Sequence, residues 1–142
     1  MDDDRRAIEA DCTRLIHDYA NRNDAGDWPA VASFYTDDGR MIRPTIPDAP
    51  VIGRDAILAA FTARPARVTR HVCANIVVSV VNADHATAFS VILLFTGDPG
   101  FDGAMPVRDD RPPLVGTYHD RLVRTDNGWR FAERVGALSF AA

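Results

Sequence analysis

The sequence predicts an α+β fold: a cone-shaped, curved, antiparallel-rich sheet packed on three helices of the N-terminal half and enclosing one pocket. Three observations carry this. The N-terminal half repeats apolar side chains at helical spacing, the C-terminal half is built of long β-branched runs, and Asp126-Asn127-Gly128 marks a tight hairpin between the last two of those runs. Helices with one apolar stripe need an apolar partner, and long strands around a few short helices curl. A curled sheet closed by helices leaves space inside.

Each element has its own signal. Ile8, Cys12, Leu15, Ile16 and Tyr19 recur at helical spacing, so residues 5–24 form an amphipathic helix that Gly26 can end in a left-handed conformation. Asp27 is a natural N-cap for a short second helix through Trp28, Pro29, Val31 and Phe34. Asp37-Asp38-Gly39 reads as a turn, 40–43 as a short strand, and the Pro-rich 44–50 as a loop. Gly53 precedes a third helix over 57–63, which Pro65 stops. Strands over 69–81 and 86–96 form a hairpin around Asn82-Ala83-Asp84. Residues 97–113, with four prolines and three glycines, read as a mobile loop. Strands over 114–125 and 129–140 complete the sheet.

A length of 142 residues suits a single domain spanning 1–142. No apolar run approaches the roughly 18 residues of a membrane span, and the first residues lack the basic-then-apolar layout of a signal peptide. A cytoplasmic protein with no membrane partner is the expectation. The net charge is −4 and the basic residues are scattered, which argues against a nucleic-acid partner. All 16 basic side chains are arginine. The absence of lysine excludes Schiff-base chemistry, a lysine base and a Walker-type phosphate loop. The four histidines are dispersed, and no HxH, HExxH, GxGxxG or GxSxG occurs. Neither a metal nor a cofactor is expected. Cys12 and Cys73 have no ligand spacing and read as small core residues.

Tyr19-Ala20, Asp24-Ala25-Gly26-Asp27-Trp28, Phe34-Tyr35-Thr36-Asp37-Asp38-Gly39, Gly53-Arg54-Asp55-Ala56-Ile57 and Asp126-Asn127-Gly128-Trp129-Arg130-Phe131 resemble, in that order, the SnoaL-like families of the nuclear transport factor 2-like superfamily. The resemblance covers nearly the whole chain. It is nearest the branch with scytalone dehydratase, bile-acid dehydratase and hexachlorocyclohexane dehydrochlorinase. That branch carries an aspartate ending the first helix and a histidine starting a long strand, here Asp24 and His71. The bile-acid enzymes add a tyrosine one turn before the aspartate and an arginine in the last strand, matched by Tyr19 and Arg134. Their further acid in the second long strand has no counterpart in 91–95, and Asn23 stands where scytalone dehydratase has a tyrosine.

The residues themselves support chemistry. An imidazole accepts and returns a proton near neutrality, which makes His71 the candidate general base. Alternation places His71, Cys73 and Asn75 on one strand face, a polar set suited to a cavity; the alternative is a rim histidine satisfied by hydrogen bonds. Asp24 would fix the ring tautomer and stabilise the imidazolium; it is otherwise a surface acid, although a helix C-terminus disfavours one. Tyr19 is either a core aromatic or a donor to a substrate carbonyl. Arg134 falls opposite Trp129 and Phe131 by parity, and pairs either with an aspartate or with a substrate oxygen. Asn75 and Tyr118 are candidate substrate-binding groups.

The expected function is a cofactor-free lyase or isomerase on a small hydrophobic molecule, dehydratase-like elimination leading. The alternative is a non-catalytic small-molecule-binding or accessory domain on the same fold. Val72, Ile76, Val78, Val80, Val91, Leu93 and Phe95 offer more apolar strand surface than one pocket uses, so a homo-oligomer, trimer or dimer, is expected.

Overall fold

A computed structural model describes residues 2–141, and helices precede most of the sheet as expected. Helix α1 (Asp2–Asp24) buries Ile8, Cys12, Leu15, Ile16, Tyr19, Ala20 and Asn23 along one stripe. Its acidic first turn suits the positive end of the helix dipole. Gly26, at φ 70°, turns the chain. Helix α2 (Trp28–Ser33) starts on Asp27, whose carboxylate accepts the Ala30 N–H at 3.3 Å. Helix α3 (Arg54–Thr62) packs on α2 by stacking Phe61 against Trp28, ring centroids 5.3 Å apart.

The strands are β1 (Tyr35–Arg43), β2 (Ile46–Ile52), β3 (Val68–Asn82), β4 (His85–Asp98), β5 (Val107–Arg108), β6 (Leu114–Thr125) and β7 (Gly128–Leu138). They form one curled sheet in the order β2-β1-β7-β6-β4-β3, with β5 added to β4. Among the described residues, β1–β7 is the one parallel pair. Helix α1 lies across β3, and the concave face of the sheet closes over the helices. No helix among the described residues is long and apolar enough to cross a membrane.

Three segments differ from the sequence expectation. Residues 46–52 form an edge strand instead of a loop, a position where Pro47 and Pro50 can lack an N–H without breaking the sheet interior. Strand β1 begins at Tyr35, and the Asp37-Asp38-Gly39 signal becomes an irregularity inside it: Tyr35 pairs with Phe131, yet Arg40 pairs with Glu133. Arg54 holds that irregularity, donating to the Tyr35 carbonyl from Nε (3.1 Å) and Nη2 (2.6 Å) and to Asp37 from Nη1 (2.7 Å). Gly53, at φ 95°, sends its N–H to the Gly39 carbonyl at 2.7 Å. The segment 97–113 carries β5, and Arg67 ties it down through Asp98 (2.8 Å) and Asp109 (2.5 Å).

Two bulges set which side chains face inward. On β3, Ala74 pairs with Val91 but Val77 pairs with Phe89, so one residue is extra. Asn75 sits there at φ 53°, a left-handed conformation that asparagine tolerates. Beyond it Ile76, Val78 and Val80 turn toward the core, whereas unbroken alternation put Ile76 on the outer face. On β7, Leu122 pairs with Phe131 and Arg121 with Glu133, again one residue over. Arg134 therefore shares the buried face with Trp129 and Phe131 instead of opposing them.

Candidate active site

The site begins at the junction of α1 and β3. Asp24 ends the helix with its side chain only 3% exposed, and its oxygens are fully engaged. His71 Nδ1 lies 2.5 Å from Oδ1, the His71 backbone N–H donates to Oδ2 at 2.8 Å, and Thr69 Oγ1 donates to Oδ1 at 2.9 Å. Burial pushes the Asp24 carboxyl up, but the ring and backbone hydrogen bonds of His71, its charge and the Thr69 hydroxyl outweigh this and hold it below its ordinary value. An ionised carboxylate only accepts, so Nδ1 carries the hydrogen and Nε2 is left as the basic nitrogen of the neutral ring.

His71 lines a cavity of about 110 Å³ between the helices and the concave face of the sheet. Three phenols converge there. Tyr19 and Tyr35 hydroxyls lie 2.9 Å apart, and Tyr118 stands under the Arg134 guanidinium, 3.8 Å from Cζ to ring centroid. Burial raises all three phenols, Tyr118 to about 12, so they remain neutral donors. Arg134 is 1% exposed and sits over the rings of Tyr19 and Phe131 as well. Its Nε donates to Asp120 Oδ1 at 3.1 Å, while Nη2 is buried without a partner. Burial disfavours its charge, but Asp120 and the surrounding phenols more than compensate and raise its pKa. Burial also raises Asp120, whose Oδ2 has no partner, and Arg134 offsets this only in part. Burial raises both Cys12 (to about 12) and Cys73, so neither thiol is a ready nucleophile. A wider recess of about 520 Å³, bordered by Arg108, Pro112 and Phe140, shares Thr45, Leu94 and Leu114 with the inner cavity.

Of the residues singled out from sequence, His71, Tyr19, Arg134 and Tyr118 line the cavity, and Asp24 stands directly behind His71. Asn75 does not. The bulge it creates reverses the alternation, leaving its side chain exposed and outside the cavity lining. Both open readings of Tyr19 and Arg134 hold at once: Tyr19 is a core aromatic that also lines the cavity, and Arg134 pairs with Asp120 yet keeps one buried nitrogen without a partner.

Asn23, Tyr35, Thr69, Arg43 and Arg64 also line the cavity, although none of them was a site candidate from the sequence. Two carried a signal. Asn23 continues the α1 apolar stripe one turn past Tyr19, where a polar residue is out of place, and Thr69 shares parity with His71. Tyr35 depends on where β1 begins, and Arg43 and Arg64 on where β1 and α3 end, which no local pattern gives.

Residues 4–135 match the family described as the SnoaL-like domain. Among solved structures, a protein provisionally described as a scytalone dehydratase, from Novosphingobium aromaticivorans, superposes with a TM-score of 0.80 at 23% identity, covering 99% of this chain and 89% of its own. A hexachlorocyclohexane dehydrochlorinase gives 0.79 at 20% identity, covering 99% and 90%. A ketosteroid isomerase-like protein from Erwinia carotovora gives 0.74 at 20% identity, covering 93% and 96%. At these identities the likeness is one of fold. No curated protein matches the sequence.

Proposed function

Because the chain belongs to the SnoaL-like domain family, we propose that it is a cofactor-free lyase or isomerase on a small hydrophobic molecule, with dehydratase-like elimination as its reaction. One observation carries the reading: a buried, ionised Asp24 bonded to Nδ1 of a histidine that lines a cavity between the helices and the sheet. That is the arrangement a general base needs.

In this mechanism the substrate places an acidic C–H at His71 Nε2. The ring takes the proton, the electron pair left on carbon forms the double bond, and hydroxide or halide leaves from the neighbouring carbon. Asp24 holds the ring in the useful tautomer and stabilises the imidazolium. The substrate carbonyl, gaining negative charge, meets the unpartnered Nη2 of Arg134 and a phenol hydrogen. The Tyr19–Tyr35 pair consumes one of its two hydroxyl hydrogens internally, and a substrate or leaving group would take the other in competition with Met41 Sδ, a weak acceptor 3.8 Å from the Tyr19 hydroxyl. Isomerisation uses the same base and returns the proton to a different carbon.

The test is turnover of a panel of β-hydroxy and β-halo carbonyl compounds by the wild type, H71A, D24N and Y19F. The reading expects activity in the wild type, a loss of about 10²-fold or more in H71A, and intact folding by circular dichroism. Binding without turnover across the panel, or an H71A variant as fast as wild type, would favour a ligand-binding domain.

A further inference from the structure

We propose that the substrate of this site is an organic acid whose carboxylate is held by Arg43 and Arg64. The inference rests on the lyase reading for what happens to the substrate, but not for how it is recognised. Arg43 ends β1 and Arg64 follows α3, and both line the cavity that His71 lines. Arg43 Nε is buried with no hydrogen-bond partner. Arg64 lies over the Phe61 ring, Cζ 4.4 Å from its centroid, and neither guanidinium forms an ion pair within the described residues.

A shortage of acids does not explain this. The chain has 20 acidic residues against 16 basic ones, and Arg54, Arg67, Arg124 and Arg134 each reach one. Yet no aspartate or glutamate among the described residues lines the cavity, while three arginines do. Asp120 takes the Nε edge of Arg134, and Asp24 is spent on His71. Arg43 and Arg64 are left as cations that disfavour each other, in a cavity whose remaining lining, His71 and Arg134 included, supplies no anion. Arg64 is exposed and Arg43 half-buried, so solvent meets part of their charge. The buried Nε of Arg43 has no partner, however, and an anion beside it would supply one and relieve the repulsion between the two cations. A guanidinium fork matches the two oxygens of a carboxylate. The carboxylate is then a handle, while the proton taken by His71 sits beside a separate, uncharged carbonyl. The inner cavity of about 110 Å³ is smaller than the roughly 150 Å³ that holds benzene, so a ring or short chain would also use the adjoining recess of about 520 Å³, which shares Thr45, Leu94 and Leu114 with it.

Calorimetric titration of the full chain with benzoate, cinnamate and hexanoate, each against its primary amide, tests this. At least one carboxylate should bind about tenfold more tightly than its amide, and raised salt should weaken that preference. R43Q and R64Q should each remove most of the preference and leave the amide affinity unchanged. R43K and R64K, which keep the charge and guard against misfolding of the glutamine variants, should restore part of it. The proposal is overturned if no carboxylate outbinds its amide, weak binding of both included, or if the preference survives both glutamine substitutions. Turnover is not needed for the readout. A carboxylate preference without lyase activity sinks the lyase reading alone, and elimination from neutral substrates without the preference sinks this one alone.

Discussion

At the residue scale Asp24 holds the site together. An acid at a helix C-terminus meets the negative end of the dipole, so on α1 alone it is unfavourable. Three donors from β3 reverse that. Since its folded pKa is depressed, the stability Asp24 confers is complete above its unfolded value, near 3.8, and is lost as pH falls through the lower folded value. D24N should cost about 1–3 kcal/mol near neutrality. In urea unfolding its gap from wild type should narrow below about pH 4; a gap independent of pH would contradict the shift. Arg134 and Asp120 make a second case. R134M strands a buried carboxylate and should cost about 3–5 kcal/mol, and adding D120N should recover much of it, a double-mutant cycle that equal losses would refute. His71 and Asp24 were picked out mainly by the resemblance to the SnoaL-like families, with an acid at a helix C-terminus as a weaker local sign. Tyr35, Arg43 and Arg64 were not, because nothing in their own neighbourhoods is unusual.

At the scale of elements, the two bulges decide what the site contains. Sequence alternation gave the right inward residues up to Cys73 and the wrong ones after it, since one left-handed residue at Asn75 resets the parity. The β7 bulge does the reverse: parity placed Arg134 opposite Trp129 and Phe131, and the extra residue brings it into line with them. A bulge costs one residue of register and leaves almost no mark in composition, which is why periodicity misses it. N75G should be nearly neutral, while N75V, forcing a β-branched side chain to φ 53°, should cost about 1–2 kcal/mol in thermal or urea unfolding. Deleting Asn75 should be far worse, because Ile76, Val78 and Val80 would rotate out of the core; a deletion as stable as N75G would contradict the assigned role. The helices and hairpins, by contrast, were readable because caps, glycines and Asn-Gly act locally.

At the scale of the molecule, the helices and the concave sheet face are satisfied by each other, but the convex face is not. Val72, Val77, Val81 and Phe89 are exposed there, with Val77 and Phe89 cross-strand neighbours. They replace the Ile76, Val78 and Val80 surface expected from sequence, which the bulge turns inward. We propose that a second or third copy of the chain covers this face. Light scattering should then give two or three chains per particle, and V77D/V81D should lower that number; a monomeric wild type would contradict it. Whatever the assembly, the central claim is that Asp24 makes His71 Nε2 the base. Long-range proton–nitrogen NMR of the neutral His71 ring tests it most directly. Wild type should show a protonated Nδ1 and a bare Nε2, and D24N a mixed tautomer. A neutral ring protonated at Nε2 in the wild type would contradict it, because that nitrogen would then have no lone pair to take a proton from substrate.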